Sequence, residues 1–139
     1  MPVLYPLGDV FHYHAHIYYD DSSRELALQM RTLIAERFPV DMGRLFEQPV
    51  GPHSLAQYEV GFLPELFGTL VPWLMLNRQG LSVMVHPNTD RERDDHSAGV
   101  LWLGQPCELY LDALAISLQA RGEAEPRPVR INTAPVLMP

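Results

Sequence analysis

Phe11-His12-Tyr13-His14-Ala15-His16-Ile17-Tyr18-Tyr19 sets a histidine at every second position and a mostly apolar residue between. In a β-strand alternate side chains point to opposite faces, so this segment stacks three imidazoles on one surface and Tyr13, Ala15 and Ile17 on the other. Burying three unpartnered imidazoles would cost a few kcal/mol each, on the order of other buried polar groups. Helices are therefore expected on the tyrosine-isoleucine face. The histidine face is left open, to be roofed by a loop, the C-terminal segment or a second subunit.

Outward from this strand, Asp20-Asp21-Ser22-Ser23 is a turn, and Ser22 with Glu25 has the spacing of a capping box. A helix over 23–37 follows, with Leu26, Met30, Leu33, Ile34 and Phe38 at helical spacing, and Pro39 stops it. Strands are expected over 40–46 and 57–62, separated by the irregular loop Pro49-Val50-Gly51-Pro52-His53. Pro64 suits a first helical turn, and a second helix over 65–77 carries Leu66, Phe67, Leu70, Val71, Trp73 and Leu74. Pro72 should kink it and Gly80 should end it. A fourth strand over 81–85 ends at His86-Pro87, where a loop begins.

The order β-α-β-β-α-β predicts an α+β ferredoxin-like sandwich: a four-stranded antiparallel sheet in the order 4-1-3-2, with both helices on one face. In this reading the first and third strands run in the same direction and the fourth opposite. Beyond the sandwich, 90–95 reads as a charged loop, 98–103 as an apolar segment of either type, and 109–119 as a third helix. The chain divides into one domain over 1–122 and a proline-rich tail over 123–139, extended or disordered or packed along a partner subunit.

Composition fits one domain: 139 residues, 47% hydrophobic, can build one real core. A net charge of −7 with no basic cluster argues against nucleic acid as a partner. The single cysteine, Cys107, cannot form an internal disulfide, and the N-terminal residues lack a charged-then-apolar leader pattern, so a cytoplasmic location is expected. The strongly apolar stretch 62–76 is broken by Pro64, Glu65, Gly68 and Pro72, so no membrane anchor is expected.

The topology brings His12 and His14, Glu59 and His86 to one sheet edge. Imidazoles with a carboxylate are the ligand set of a non-haem iron or zinc site, and two histidines with one carboxylate leave positions open for substrate and oxygen. Residues i and i+2 of a strand lie roughly 6.6 Å apart, so two ring nitrogens can reach one ion about 2.1 Å from each. His14, His16, His86 and Glu59 are the candidate ligands. His53, and His96 oriented by Asp95, are the candidate acid-base groups. The plainer alternatives are a solvated His12, a His53 bonded to its own loop backbone, an edge-strand charge at Glu59 and tryptophans, Trp73 and Trp102, that belong to the core.

His14-Ala15-His16-Ile17-Tyr18-Tyr19, Gly51-Pro52-His53, Val85-His86-Pro87-Asn88-Thr89, Asp95-His96 and Leu101-Trp102-Leu103-Gly104 occur in an order that resembles the DOPA 4,5-dioxygenase family of bacteria and fungi, from about residue 9 to 113. The resemblance implies a ferredoxin-like fold, a homodimer, and extradiol cleavage of a catechol such as DOPA with O2 and iron(II), zinc or another divalent metal being the alternatives. It maps the family's recurrent histidines onto His14, His16, His53, His86 and His96, and its leading acidic residue onto Asp9. His12 lies outside the motif. Ser54 stands where the family often has proline and Asp90 where it often has glycine, which leaves the substrate open. A module of the same fold that binds a metal or small acid without catalysis is the alternative from another class.

Overall fold

The computed structural model describes residues 1–123, 126–132 and 135. A five-stranded antiparallel sheet runs β2-β3-β1-β4-β5, built from β1 (His12–Tyr19), β2 (Asp41–Phe46), β3 (Ala56–Phe62), β4 (Val83–Asn88) and β5 (Leu101–Leu103). Two longer helices, α1 (Arg24–Arg37) and α2 (Phe67–Asn77), and two short ones, α3 (Glu92–Asp95) and α4 (Leu118–Arg121), accompany it. Among the described residues, no helix is long and apolar enough to cross a membrane.

Side-chain alternation in β1 sets everything else. Ala15 and Ile17 are fully buried in one core cluster with Ala27, Met30 and Ile34 of α1 and Leu70, Val71 and Leu74 of α2, so both helices cover the same face. Val60 and Phe62 of β3 and Val83 and Val85 of β4 complete that layer. A one-residue slip would turn the imidazoles into this apolar layer, so burial of the helical face also fixes the register of the other face. The Tyr58 hydroxyl donates to Ala27 O at 2.8 Å and ties β3 to α1 without leaving a buried polar group unpaired.

Several expectations need correction. The sheet has five strands, because the apolar segment around Leu101 pairs Val83–Val85 through β5. β1 and β3 are antiparallel, not parallel: two strands that flank a helix in a β-α-β unit share a direction, and here those are β1 and β2, with β3 between them. β4 does not end at His86 but continues to Asn88. Pro87 is tolerated there because β5 pairs only Val83–Val85, leaving β4 without a second neighbour at the proline.

The capping box is replaced by Asp20, whose Oδ1 accepts from the amides of Ser22 and Ser23, both at 3.0 Å. A carboxylate already aimed at two free amides leaves the Ser22 hydroxyl no amide to cap, and that hydroxyl donates to Asp20 instead. α2 follows a 3-10 turn at Pro64–Leu66 and runs through Pro72, whose ring is on the exposed side. Gly80 takes φ +86 just after its end, the left-handed conformation that glycine adopts without strain.

The third helix over 109–119 is absent. A 3-10 turn at Leu111–Ala113 and the four-residue α4 stand in its place. Tertiary hydrogen bonds claim its backbone: Tyr110 N–H donates to Pro52 O, Leu118 N–H to Asp90 O, and Ala115 O accepts from Arg93 N–H. The charged loop over 90–95 contains α3. Of the tail, residues 126–132 lie without helix or strand against their own chain, where Arg130 N–H reaches Asp41 Oδ2 at 3.0 Å and Asn132 N–H reaches Val40 O at 2.9 Å. Its remaining residues from 124 onward, apart from Pro135, lie outside the described residues.

Candidate functional site

The face opposite the helices is assembled by strand register. His16 lies across from Glu59 and Met84, His14 across from Gly61 and His86, and Tyr18 across from Gln57. Because paired residues in an antiparallel sheet share a face, His12, His14, His16 and Tyr18 stand beside Gln57 and Glu59 on one side and His86 on the other. His53 joins from the loop before β3, held by its N–H to Val50 O and by an isolated bridge to Leu109. His96 joins from the end of α3, its ring centroid 3.9 Å from that of His86.

The hydrogen bonds fix which nitrogen of each ring is bare. His16 Nδ1–H donates to Gln57 Oε1 at 2.9 Å, His86 Nδ1–H to Pro87 O at 2.8 Å, and His96 Nδ1–H to Glu92 O at 2.8 Å. A neutral imidazole carries one proton, so each of these rings keeps a lone pair on Nε2. The Nε2 atoms of His16 and His86 nevertheless face each other at 3.0 Å. Two lone pairs at that distance repel unless a cation lies between them.

A divalent ion supplies the fit. Two nitrogens about 2.1 Å from one ion and at right angles to each other are themselves about 3.0 Å apart. One ring nitrogen of His14 lies within 4.8 Å of those of His16 and His86, so three histidines can share the ion. Orienting partners on the far nitrogens, here Gln57 and the Pro87 carbonyl, are what ligating histidines ordinarily have.

Burial keeps the rings of His16, His86 and His96 neutral and ready for a cation. His16 and His86 are held well below the usual imidazole range by burial, then by neighbouring rings, His53 for His16 and His96 for His86. Burial also lowers His96. Glu59, with its side chain 39% exposed, accepts from His14 Nδ1 at 3.0 Å and lies 3.8 Å from His16 Nε2. Burial pushes its carboxyl up, but the hydrogen bond from His14 and the nearby imidazoles outweigh that and hold it at about 2.

The contacts of four residues differ from the readings expected for them. Asp95 does not orient His96. Its carboxylate accepts from Thr89 N–H at 2.7 Å and Thr89 Oγ1–H at 2.8 Å, clamping the chain after β4 to α3, while the Glu92 carbonyl orients the imidazole. In one helical turn the carbonyl of residue i−4 lies nearer the ring than the side chain of residue i−1 does. His12 is not solvated but buried, with Nε2 3.2 Å from His14 Nε2; burial and then His14 lower it to about 4. Asp9 turns from the cluster and pairs with Arg91 at 3.3 Å. His53 bonds through its ring to the Tyr18 hydroxyl, at 2.8 Å from Nδ1, rather than to its own loop.

His12, His14, His16, His53, His96 and Glu59 line a cavity of about 330 Å³, with His86 buried against the ring of His16. That is at the small end of the roughly 300–1,000 Å³ usual for small-molecule pockets. Leu114, Leu118 and Arg121 wall it, and Pro126, Pro128 and Val129 of the tail roof it. The roof comes from the C-terminal segment, one of the three covers expected for this face, whereas sequence reasoning missed Gln57 and Tyr18. Tyr18 was findable, since it continues the period-two ladder of His12, His14 and His16; Gln57 follows only once the register is known.

The sequence profile of the Dopa 4,5-dioxygenase family matches residues 13–113. A protein of Botryotinia fuckeliana named "Uncharacterized 21.2 kDa protein" is 40% identical over 112 residues, covering 71% of this chain and 61% of that one. The "DOPA 4,5-dioxygenase" of Amanita muscaria is 30% identical over 118 residues, covering 78% of this chain and 52% of that one. The chain thus spans about half to three-fifths of the length of these curated relatives. A crystal structure from Nostoc punctiforme, described as a "putative dioxygenase", superposes with a TM-score of 0.78 at 42% identity, covering 79% of this chain and 96% of that one.

Proposed function

Since the chain belongs to the Dopa 4,5-dioxygenase family, we propose that it is an extradiol ring-cleaving dioxygenase that acts on a catechol such as DOPA with non-haem iron(II) and O2. In that reaction the ring bond beside the diol breaks and both atoms of O2 enter the product. A ring-opened semialdehyde results, and no external reductant is needed. The observation that carries this reading is the pair of bare Nε2 atoms of His16 and His86, 3.0 Å apart, with His16 lining a small cavity and His86 buried against it.

His14, His16 and His86 are the residues that would hold the metal, with Glu59 as the adjacent carboxylate. Iron bound there supplies Lewis acidity toward the catechol and an electron path between catechol and O2. Gln57 and the Pro87 carbonyl hold two of the rings in orientation. His96 offers a bare nitrogen, which suits it to take a proton from a catechol hydroxyl near neutral pH. His53 is the second acid-base group facing the cavity, and Asp95 serves by fixing the chain that carries His96. Pro126, Pro128 and Val129 keep bulk water from the cluster.

Loading the chain anaerobically with iron(II), then adding air with DOPA, caffeate or protocatechuate, tests the activity. A yellow ring-opened product with one O2 consumed per catechol is expected; no product across a broad catechol panel rejects it. The reading includes a homodimer, which the exposed Val3, Leu4, Tyr5 and Leu7 would supply with apolar surface and light scattering would test.

A further inference from the structure

We propose that Tyr18 is a positioning residue that holds His53 in the opposite tautomer to its neighbours, so that His53 donates an N–H to an oxygen of the bound substrate where His16, His86 and His96 present lone pairs. Only the substrate oxygen rests on the dioxygenase reading. The tautomer follows from hydrogen-bond accounting on this chain alone.

Tyr18 is 2% exposed, and its ring packs between those of His16 and Trp102. Among the described residues its hydroxyl makes one hydrogen bond, to His53 Nδ1 at 2.8 Å. Two arrangements share that distance. If His53 Nδ1–H donated to the phenol oxygen, the hydroxyl hydrogen would be buried with no acceptor, which protein interiors avoid. If the hydroxyl donates to a bare Nδ1, no buried group is left unpaired. The proton of His53 is then on Nε2, which has no partner among the described residues, and His53 lines the cavity.

The three other rings face acceptors that have no hydrogen to give: the Gln57 amide oxygen and the carbonyls of Pro87 and Glu92. A carbonyl forces Nδ1–H on its histidine, whereas a hydroxyl can give its own proton. One cavity thus holds both proton acceptors and a proton donor. His53, its ring centroid 4.4 Å from that of His16, lines the same cavity as His14 and His16, two of the residues that would hold the metal.

The test uses the full-length, metal-free chain labelled with ¹⁵N-histidine, in long-range ¹H–¹⁵N spectra above pH 7, with the His53 signals assigned by their loss in His53→Gln. His53 is expected as the Nε2–H form and His16, His86 and His96 as Nδ1–H forms. Finding His53 protonated on Nδ1 overturns the proposal. In Tyr18→Phe, His53 should change to a mixture of both forms; an unchanged signal overturns the role of Tyr18. Incorporation of 3-fluorotyrosine, a stronger hydroxyl donor that preserves packing, should move the His53 Nδ1 resonance and not that of His96, and this arm decides the matter if Tyr18→Phe does not fold. In the iron-loaded enzyme, Tyr18→Phe should lower kcat in proportion to the share of His53 that has left the Nε2–H form; unchanged kcat beside a mixed tautomer overturns the donor role. A wild-type chain inactive on every catechol rejects the dioxygenase reading and leaves the tautomer result standing.

Discussion

His16 on β1 and His86 on β4 bring their Nε2 atoms within 3.0 Å across 70 residues of sequence, each with its other ring nitrogen already committed to an oxygen. The contact is diagonal, for the direct cross-strand partner of His86 is His14. Two rings at diagonal positions meet at their tips because their outer nitrogens are tied in opposite directions, one to β3 and one along β4 itself.

The metal set follows from this pairing. His16→Ala or His86→Ala should abolish stoichiometric divalent-metal uptake measured by calorimetry. His12→Ala, which removes a ring outside the three-histidine group, should retain it. Gln57→Ala should weaken uptake by about 10–100-fold, the usual effect of losing an orienting partner. Retained one-to-one binding in His86→Ala would remove His86 from the set.

Asp95 carries stability rather than ring orientation. It is buried and accepts two hydrogen bonds from Thr89, and burial raises its carboxyl above the usual range. Asp95→Ala should cost about 1–3 kcal/mol in urea unfolding, the cost of a buried donor left unpaired. Thr89→Val should lose part of the same energy, and the double variant should cost less than the sum of the two singles. Full additivity would mean that the two residues do not act as one clamp.

Strand alternation in 11–19 made the helical face and the histidine face legible before any coordinates, since period two leaves no other assignment once Ala15 and Ile17 are buried. The positions of His14, His16, His53, His86 and His96 were legible through the family resemblance. Less accessible were features decided by tertiary hydrogen bonds: Leu109 to Gln119 has helical spacing, yet its carbonyls and amides are taken by Arg93, Pro52 and Asp90. The same cause hid the true partner of His96, a backbone carbonyl that any residue at position 92 would supply.

Gly43 holds the site carboxylate in place from the neighbouring strand. It sits in the irregular stretch between Met42 and Leu45, and a Cβ there would meet the Glu59 carbonyl oxygen at 2.7 Å. Because the obstacle is backbone, Gly43→Ala must shift β2 or β3, at about 1–3 kcal/mol for overpacking. Thermal unfolding should show the loss, and metal affinity should fall with it as Glu59 moves. Wild-type stability would mean the strands separate at no cost.

Acid should unfold the metal-free chain early. His12 and His53 are each lowered to about 4, by burial first and then by a neighbouring ring, His14 or His96 respectively. In the unfolded chain they titrate near 6.5. As pH falls below about 6.5 the unfolded state takes up protons that the folded state refuses, so stability drops until about pH 4 and these two groups then contribute no further change. Each accounts for up to about 3 kcal/mol over that window. Asp95, raised by burial, acts in the opposite sense at its acidic end. Urea melts in chelator at pH 7.5, 6, 5 and 4.5 should show a steady fall, and a flat profile would mean that the rings are not buried as neutral groups.

The tail should govern access to the cluster more than it governs folding. Pro126, Pro128 and Val129 roof the cavity, while among the described residues the core cluster under α1 and α2 includes none beyond Leu103. Two backbone amides, of Arg130 and Asn132, tie the segment to Asp41 and Val40 at the start of β2. The Asn132 side chain also donates to Ala35 O, and Glu123 N–H to Leu118 O. A chain ending at Gly122 should therefore keep its far-ultraviolet spectrum and lose Tm by an amount set by a few such bonds, each worth about 0.5–1.5 kcal/mol. Its histidines should become open to solvent, so diethyl pyrocarbonate should modify His53 and His96 faster than in the full chain. KM for the catechol should rise as the roof is lost. Equal modification rates in both chains would show that the tail does not close the cavity in solution.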